Sequence, residues 1–582
     1  MQASPVEPKH RRDRRWGARC VLTALLALAL SGPTQAQDYE ASESLLATGQ
    51  LIQGGKPLWD KMFLTGWPTD ARHMRLCQEL AGGPGEELLK GLLASKHGQL
   101  VTNSDYMLAR RELRKKSGDS FETNAELLGD DLRVFRHLSG FKGSTASLEP
   151  VLFPYEQGER RLARNFNERD PRSWVWRDGK GKHTLEALGL ALLAESRFAA
   201  VELRGQRTEV QSGKEVEYWG RSAEGGLFAL LGLESAAAQI WELRTQLIMD
   251  GRAAEIGPKP GLARLSARRY CFPQAWTSAK EGNILKHTLA DSDGGKDQSR
   301  LRSQAAVLLG ASALARIVFA KDDLAGLFEQ QSIRNQRIYL FHPDLREALL
   351  EVVTFAAESI RTLHIKVAGN ARAHTLAKPG GAPSSTITAG DLAMYLIALE
   401  EFVQIPVSER PSPSEGRLQT EQAKARTLGT ALGTFLASWI NESDPGVYDR
   451  YSAEEGGRAA KTRSLASQGM VVRALVASHR VGGKPNSPQL DAARIAVKNL
   501  DAKFWNRDAT AYVGMGAKRA KLGGVGAVLW GLREMGLETR DGRYLARYAQ
   551  FLERLHASGW YQAPSGSQPA GLLQETEFTA SK

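Results

Sequence analysis

The sequence predicts an all-α fold, an (α/α)6 toroid of helical hairpins with a helical N-terminal extension, and three observations lead to it. The chain has no sustained run of alternating apolar and polar residues, the pattern that a half-buried sheet requires. Two kinds of helix recur along it, one apolar on nearly every face and one amphipathic. The apolar helices begin at uneven spacings, which favours a closed ring with long inserted loops over an open solenoid with a fixed repeat.

The first 36 residues are predicted to be a signal peptide. A basic stretch precedes the apolar run from Cys20 to Leu30, and small residues follow it up to Ala36, after which cleavage is expected. No later segment offers the roughly 20 consecutive apolar residues of a membrane span, so no membrane anchor is expected after cleavage. The predicted localisation is therefore periplasmic or secreted.

Composition limits the classes of partner. Hydrophobic residues make up 42% of the 582 residues and charged residues 24%, a balance that excludes a mostly disordered chain. The leader carries six of the 77 basic and two of the 65 acidic residues, so cleavage lowers the formal charge from +12 to +8. The densest basic cluster, Arg110 to Lys116, is the pattern of a solvated helix face, and nucleic acid binding is not predicted.

Cysteine and histidine usage gives no metal or cofactor signal. Cys77 and Cys271 remain after cleavage, and the sequence does not decide whether they pair. No CxxC, CxxCH or His/Cys cluster has the spacing of metal ligands, so neither a metal site nor a cofactor is predicted. No serine-hydrolase elbow, phosphate loop or dinucleotide fingerprint occurs either.

The chain after the leader is predicted to contain three regions. Residues 37 to 150 show short helical patterns broken by glycine-rich turns, which predicts a helical N-terminal region. Pro150 and Pro154 lie at the start of the toroid, which spans residues 151 to 560, and residues 561 to 582 are predicted to form a flexible C-terminal tail.

Six helices of the toroid are predicted to line its interior, because helices that are apolar all round are buried on every side. They are Thr184 to Phe198, Ala223 to Ala237, Arg302 to Ala320, Ala389 to Gln404, Ser464 to Arg480 and Leu522 to Met535. Residues 223 to 250 fit either one long helix or a pair joined by a turn around Glu234. Amphipathic patterns predict outer helices at Glu347 to Leu363, Gln419 to Ile440, Leu490 to Phe504 and Arg543 to Leu555.

Three motifs in the C-terminal half resemble a known superfamily. They are Gly446 to Tyr451, Ser464 to Met470 at the start of an inner helix, and Phe504 to Tyr512 after an outer helix. On these motifs, residues 446 to 535 resemble the six-hairpin superfamily, in particular the N-acylglucosamine 2-epimerase group and the toroids of thioredoxin-like fusion proteins. The resemblance implies the (α/α)6 fold. Asn506 stands where those families have Asp, and no histidine matches their catalytic ones, so no specific activity is carried over.

The loops before the inner helices are predicted to meet at one mouth, where helix N-termini add hydrogen-bond donors and positive potential. Several of these loops combine an aromatic residue with a carboxylate or an arginine. Sugar rings stack on aromatic side chains and bind polar groups through their hydroxyls, so the pattern predicts a carbohydrate ligand. The predicted stacking residues are Trp176, Trp219, Tyr451 and Trp505.

Glycoside hydrolysis requires two carboxylates about 5 to 9.5 Å apart. The candidates in the mouth loops are Asp178, Asp291, Asp449 and Asp508, each of which also suits a turn or a solvated loop. His183, at the start of an inner helix, is a candidate acid or base. Two functions stay open: a glycosidase-, lyase- or epimerase-like enzyme, and a non-catalytic helical scaffold that binds a polymer or partner protein at the mouth. The sequence does not give the oligomeric state.

Overall fold

The structure is a computed structural model. The residues that it describes belong to a helical ring and its connections. The described residues are 182–202, 206–211, 214–219, 233, 236–237, 239–259, 261–281, 284–292, 295–320, 331–333, 336–338, 344–367, 371–440, 446–453, 457–483, 487–515, 517, 519–558, 561–562, 571–572 and 575–578. The predicted signal peptide, the region of residues 37 to 150 and the first part of the toroid lie outside these residues. The domain boundaries therefore stay predictions.

Nine α-helices dominate the described residues, which confirms the all-α fold class. They are α1 (Leu185–Glu202), α2 (Leu301–Val318), α3 (Leu345–Leu363), α4 (Ala389–Val403), α5 (Pro413–Ala437), α6 (Leu465–Gly482), α7 (Pro488–Lys503), α8 (Leu522–Thr539) and α9 (Gly542–Ala557). Residues 239–245 are also helical, and a short 3-10 helix spans Leu262–Arg264.

The strands are short and lie in the connections. They are β1 (Lys182–Thr184), β2 (Gln206–Gln211), β3 (Lys214–Trp219), β4 (Met249–Asp250), β5 (Glu255–Ile256), β6 (Tyr270–Cys271), β7 (Ala275–Glu281), β8 (Ile284–Leu289), β9 (Ser299–Arg300), β10 (Gln331–Ile333), β11 (Gln336–Ile338), β12 (Ile365–Lys366), β13 (Arg372–Ala373), β14 (Leu376–Ala377), β15 (Thr386–Thr388), β16 (Arg450–Ser452), β17 (Trp505–Asn506), β18 (Ala511–Tyr512), β19 (Arg519–Lys521), β20 (Tyr561–Gln562), β21 (Gly571–Leu572) and β22 (Glu575–Glu577). All the pairings are antiparallel.

Helices α1, α2, α4, α6 and α8 form the inner wall, and each packs beside the next one in this order. Every residue of α4 is buried, as expected for a helix surrounded by others. Five of the six predicted inner helices are thereby confirmed, while the sixth, Ala223 to Ala237, falls mostly outside the described residues. Helix α2 is long and apolar enough to cross a membrane, but 89% of that stretch is buried inside the protein, and core helices pass the same test.

Glycines bring two pairs of inner helices into close contact. A Cβ atom at Gly189 in α1 would lie 2.2 Å from the backbone of Ala306 in α2, and Gly310 meets Gly189 in return. A Cβ atom at Gly469 in α6 would lie 2.4 Å from the backbone of Ala527 in α8. No side chain fits in these gaps. The small residues from which the inner helices are predicted therefore also set the distance between those helices.

The outer helices each cover the inner helix that precedes them. α3 packs on α2, α5 on both α4 and α6, α7 on α6, and α9 on α8. Helix α5 begins at Pro413, earlier than the predicted Gln419, because Ser412 and Glu415 form a capping box at its N-terminus.

A buried ionic network joins all five inner helices, at the C-terminal halves of α1, α2 and α4 and at the middle of α6 and α8. The Glu401 carboxylate of α4 binds Arg197 of α1 at 2.8 Å and Arg316 of α2 at 2.6 Å. Arg473 of α6 binds the adjacent Glu400 at 2.6 Å. The Arg197 and Arg473 guanidiniums lie 5.3 and 5.0 Å from the centre of the Trp530 ring in α8. Because α1 contacts α8 here, the inner helices enclose a common centre, as in the predicted toroid.

The N-terminal ends of the inner helices define the mouth, where the loops before α1, α2 and α4 are each bonded to the next loop around the ring. Leu185 N–H at the start of α1 donates to Gln274 O, Leu301 N–H to Thr375 O, and Ala389 N–H to Asp449 O. Strand pairs β1–β7, β9–β14 and β15–β16 run beside these bonds. These loops therefore form a collar around the first turns of α1, α2 and α4.

Candidate functional site

Four charged side chains meet at the mouth where α1, α2 and α4 begin, and we call them the charged quartet: Glu186, Arg300, Arg302 and Asp391. Arg302 Nε donates to Glu186 Oε1 at 2.7 Å, which joins the first turns of α2 and α1. Arg300 Nη2 donates to Asp391 Oδ1 at 3.4 Å, which joins the start of α2 to the first turn of α4. The two guanidiniums at the start of α2 thus bind a carboxylate of α1 and a carboxylate of α4.

Asp391 is the most unusual member of the quartet, because its side chain is 0% exposed. Its backbone N–H donates to the Thr388 side chain, the N-cap of α4, so the carboxylate lies at the positive end of that helix. Its Oδ1 atom accepts only the long bond from Arg300, and Oδ2 has no hydrogen-bond partner among the described residues. Buried polar atoms without a partner are rare in native proteins, and catalytic sites are one of the places where they occur.

The predicted candidate Asp449 lies at the same mouth and caps α6. Its Oδ1 atom accepts from Ser464 N–H at 2.9 Å, from Ser464 Oγ at 2.8 Å and from Ser467 Oγ at 2.7 Å. Burial alone would raise the pKa of this carboxyl, but the donors of Ser467 and Ser464 outweigh it and hold the pKa below its usual value. Asp449 is therefore a fixed anion at the N-terminus of an inner helix.

Two of the predicted stacking residues are described with their side chains, and both contact other aromatic rings. The Tyr451 ring is stacked on Trp439 at 3.8 Å between centroids, and the residue is 3% exposed. Trp505 is half-buried against Tyr512, with the Arg547 guanidinium 4.0 Å from its ring centre. Trp176 and the side chain of Trp219 lie outside the described residues. Sugar stacking on these four residues stays a prediction.

The remaining candidates are scattered. His183 is buried in β1, directly before α1, with its ring 5.7 Å from that of Trp276. Asp291 is 87% exposed and 3.8 Å from Lys296, and Asp508 lies in an exposed turn after β17. Asp178 lies outside the described residues. The structure thus brings His183 and Asp449 to the mouth beside the quartet, and their chemical roles stay predictions.

Possible metal ligands do not cluster in the described residues. No cluster of three or more His, Cys, Asp or Glu side chains in the described part of the chain could hold a metal ion. Cys271 is a free, fully buried thiol, and burial raises its pKa to about 12 although Ser299 hydrogen-bonds to it. His287 is buried in β8, with Nε2 3.2 Å from Glu242 Oε2.

No family model matches the sequence, and no curated protein matches it. Among solved structures, the chain is similar to a cellobiose 2-epimerase from Spirochaeta thermophila at 12% identity and a TM-score of 0.37, over 91% of this chain and 100% of that one. It is similar to a cellobiose 2-epimerase from Bacillus thermoamylovorans at 10% identity and a TM-score of 0.35, over 50% and 67% of the two chains. A third likeness is to a GH76 alpha-mannanase from Bacteroides thetaiotaomicron, at 10% identity and a TM-score of 0.32 over 53% and 70%.

Sugar epimerases are among the solved structures to which the chain is similar. TM-scores of this size carry no argument about the activity of this chain. The ring is inferred from the packing of its own helices, and the site is inferred from the geometry at the mouth.

The charged quartet was not predicted from the sequence, because only residues in the loops before the inner helices were chosen as site candidates. All four residues lie at the N-cap or within the first turn. The signal that could have found them is a charged residue in the first turn of a helix that is otherwise almost wholly apolar. Glu186 and Asp391 are the only acidic first-turn residues among the described inner helices.

Proposed function

We propose that this protein acts on a carbohydrate at the mouth of the ring, with the charged quartet as the polar part of the site. The observation that carries the proposal is the pair of carboxylates, Glu186 and Asp391, each beside an arginine at the start of an inner helix. Carboxylates accept hydrogen bonds from sugar hydroxyls and guanidiniums donate to them, so both functions of a hydroxyl can be satisfied here.

Asp391 is the residue that this proposal assigns to proton transfer. Hydrolysis, elimination and epimerisation of sugars all require a side chain that takes or gives a proton. Asp391 has an oxygen without a protein donor, whereas both Glu186 and the capping carboxylate of Asp449 are bonded to neighbouring groups. Arg300 would orient Asp391, and Arg302 would orient Glu186. The reaction class stays open among the three.

The proposal is tested by ligand-induced stabilisation of the mature protein. Neutral and acidic oligosaccharides are screened by thermal shift, since a ligand at 100 times its Kd stabilises by about 2.7 kcal/mol. We expect at least one glycan to raise the melting temperature, and Asp391→Asn to abolish its turnover. Asp491→Asn is the control, because Asp491 is exposed and Arg494 is its only ion-pair partner among the described residues.

The outcomes separate the candidate functions. Binding with turnover in the wild type, lost in Asp391→Asn, supports an enzyme. Binding without any change in the glycan, followed by chromatography, supports the non-catalytic scaffold instead. No binding across the panel contradicts the carbohydrate proposal altogether.

We also propose that the protein is exported, on the basic and apolar pattern of residues 1 to 36. Expression of the full chain in a Gram-negative host with fractionation of the periplasm tests this. We expect N-terminal sequencing of the periplasmic form to begin at Gln37. A cytoplasmic protein that retains Met1 would contradict the proposal.

A further inference from the structure

A cavity of about 720 Å³ lies on the outside of the ring, between the C-terminal part of α3, the middle of α5 and the turn at residues 266–268. We call it the outer groove. It shares no residue with the charged quartet, and its volume falls within the roughly 300 to 1,000 Å³ of small-molecule sites. The chemistry of its lining residues indicates the class of ligand.

Three basic side chains and one acidic side chain, Glu358, line the groove, and Glu358 is paired with Arg417 at 3.7 Å. Arg361 and Lys424 line it, and both bind the same carboxylate of Glu421, at 3.2 and 2.7 Å. These ion pairs fix α3 and α5 to each other and form one wall. Arg268 on the facing turn is exposed and forms no ion pair or hydrogen bond with the described residues. It is therefore the cation that is available to an incoming anion.

Hydroxyl groups and an aliphatic surface complete the lining. The side-chain hydroxyls of Ser266 and Thr362 make no hydrogen bond within the described part of the protein, and both face the groove. Ile365 and Leu428 supply apolar surface, and Val367, 59% exposed, is the more exposed of the two large hydrophobic side chains at the surface of the described residues. A ligand that matches all three parts carries a negative charge, several hydroxyls and an apolar C–H face.

We propose that the outer groove is a second binding site, for a uronic acid residue. The carboxylate of a uronate would pair with Arg268, because a guanidinium and a carboxylate form two parallel hydrogen bonds. The ring hydroxyls would bond to Ser266 and Thr362, and the C–H face would lie on Val367. A fatty acid would leave the hydroxyls unused, and a neutral sugar would leave the arginine unpaired.

The experiment measures binding of digalacturonate to the mature protein by titration calorimetry or ligand-observed NMR. We expect its fully methyl-esterified form, which has lost the charge, and hexanoate, which has no hydroxyls, to bind at least about tenfold more weakly; a tenfold change corresponds to about 1.4 kcal/mol. Arg268→Gln should weaken digalacturonate binding by about tenfold or more. Thr362→Val should weaken it by a smaller factor.

The matched control is Arg264→Gln. Arg264 is an exposed arginine on the same segment, it has no partner among the described residues and it does not line the groove. Binding that falls equally in both arginine variants would reveal a general charge effect and overturn the site. The proposal is also overturned if hexanoate or the methyl ester binds as tightly as digalacturonate, or if digalacturonate does not bind at about 10 mM.

The proposal for the outer groove and the proposal for the mouth can be contradicted separately. Asp391→Asn should leave digalacturonate binding at the groove unchanged, because Asp391 lies on an inner helix and does not line the cavity. A digalacturonate affinity that drops in Asp391→Asn but not in Arg268→Gln would place the uronate at the mouth and contradict the groove. The inference therefore stands or falls independently of the proposed function.

Discussion

Asp449 holds the start of α6 by accepting three hydrogen bonds on a single carboxylate oxygen. Such caps satisfy backbone N–H groups that have no partner within the helix, and a negative charge there also interacts favourably with the helix dipole. The donors, Ser464 and Ser467, would otherwise need water at a partly buried site. A side chain that resembles a catalytic acid in the sequence can thus be a structural anion.

We expect Asp449→Ala to destabilise the protein by about 1 to 2 kcal/mol at pH 7, the usual cost of losing an N-terminal cap. Asp449→Asn should lose only part of this, because the amide oxygen still accepts from Ser464. The folded pKa lies below the ordinary value near 3.8, so the stabilisation is fully present above that pH and is lost as the pH falls through the folded pKa. The gap between wild type and Asp449→Ala should therefore narrow below pH 4.

Urea denaturation at pH 7, 5 and 3, followed by tryptophan fluorescence, measures these differences. Asp491→Asn serves as the control, because that carboxylate is exposed and, in the part of the chain that the structure describes, pairs with Arg494 alone. A gap that is constant over the three pH values would contradict the assignment of Asp449 as a cap in its ionised form.

At the scale of the elements, the separation of the inner helices is set by glycine. The backbone of α6 at Gly469 lies so close to Ala527 in α8 that a single methyl group has no room. Packed interiors do not absorb such a group without moving a backbone, which costs typically 1 to 3 kcal/mol. Gly416 in α5 offers the opposite case, since nothing lies within 4 Å of the position that its Cβ would take.

Alanine at these two glycines is predicted to have opposite effects. Gly469→Ala should destabilise the protein by about 3 kcal/mol, because α6 and α8 must separate. Gly416→Ala should stabilise it by about 0.5 to 1 kcal/mol through the higher helix propensity of alanine. Urea denaturation midpoints of the two variants, measured side by side, check the signs. If Gly469→Ala were neutral, the close approach of α6 and α8 would be contradicted.

The positions of the helices could be predicted from the sequence because the pattern of burial is local. Helix α2 was expected at Arg302 to Ala320 and spans Leu301–Val318, and α6 was expected at Ser464 to Arg480 and spans Leu465–Gly482. The start of α5 was missed because its first turn is polar, so that only the cap at Ser412 reveals it.

The site could be predicted only in outline, as a mouth at the N-termini of the inner helices. Which first-turn side chains meet there depends on how far each helix is rotated and how closely it approaches its neighbour. The contact between Gly189 and Gly310 sets this relation for α1 and α2, and through it the pairing of Glu186 with Arg302. Such a long-range relation between helices leaves no pattern in the sequence of either one.

At the scale of the whole molecule, the ionic network opposite the mouth connects helices that are distant in sequence. Glu401 binds two cations, one from α1 and one from α2, and its neighbour Glu400 binds Arg473 of α6. Burial alone would raise the pKa of Glu401, but Arg316 and Arg197 outweigh it and hold the pKa at about 2. A buried charge of this kind is costly to leave without its partner.

We expect Glu401→Gln to destabilise the protein by about 3 kcal/mol, because it leaves two guanidiniums without their counter-charge. Glu409→Gln is the matched control, since Glu409 is exposed and makes no contact of this kind with the described residues. The depressed pKa makes this stabilisation fully present above about pH 4.3, the usual value for Glu, and lost as the pH falls through about 2. The stability gap should therefore be constant from pH 8 to 5 and shrink in strong acid.

Hydrogen exchange shows whether the network acts on the ring as a whole. Because Glu401 joins α4 to α1 and α2, its loss should raise the exchange rates of the C-terminal halves of all three helices together. The first turns at the mouth, which the collar of loop hydrogen bonds holds independently, should keep their protection. Exchange that increases in α4 alone would mean that the ion pairs are local contacts, and that apolar packing between the inner helices is sufficient to keep the ring closed.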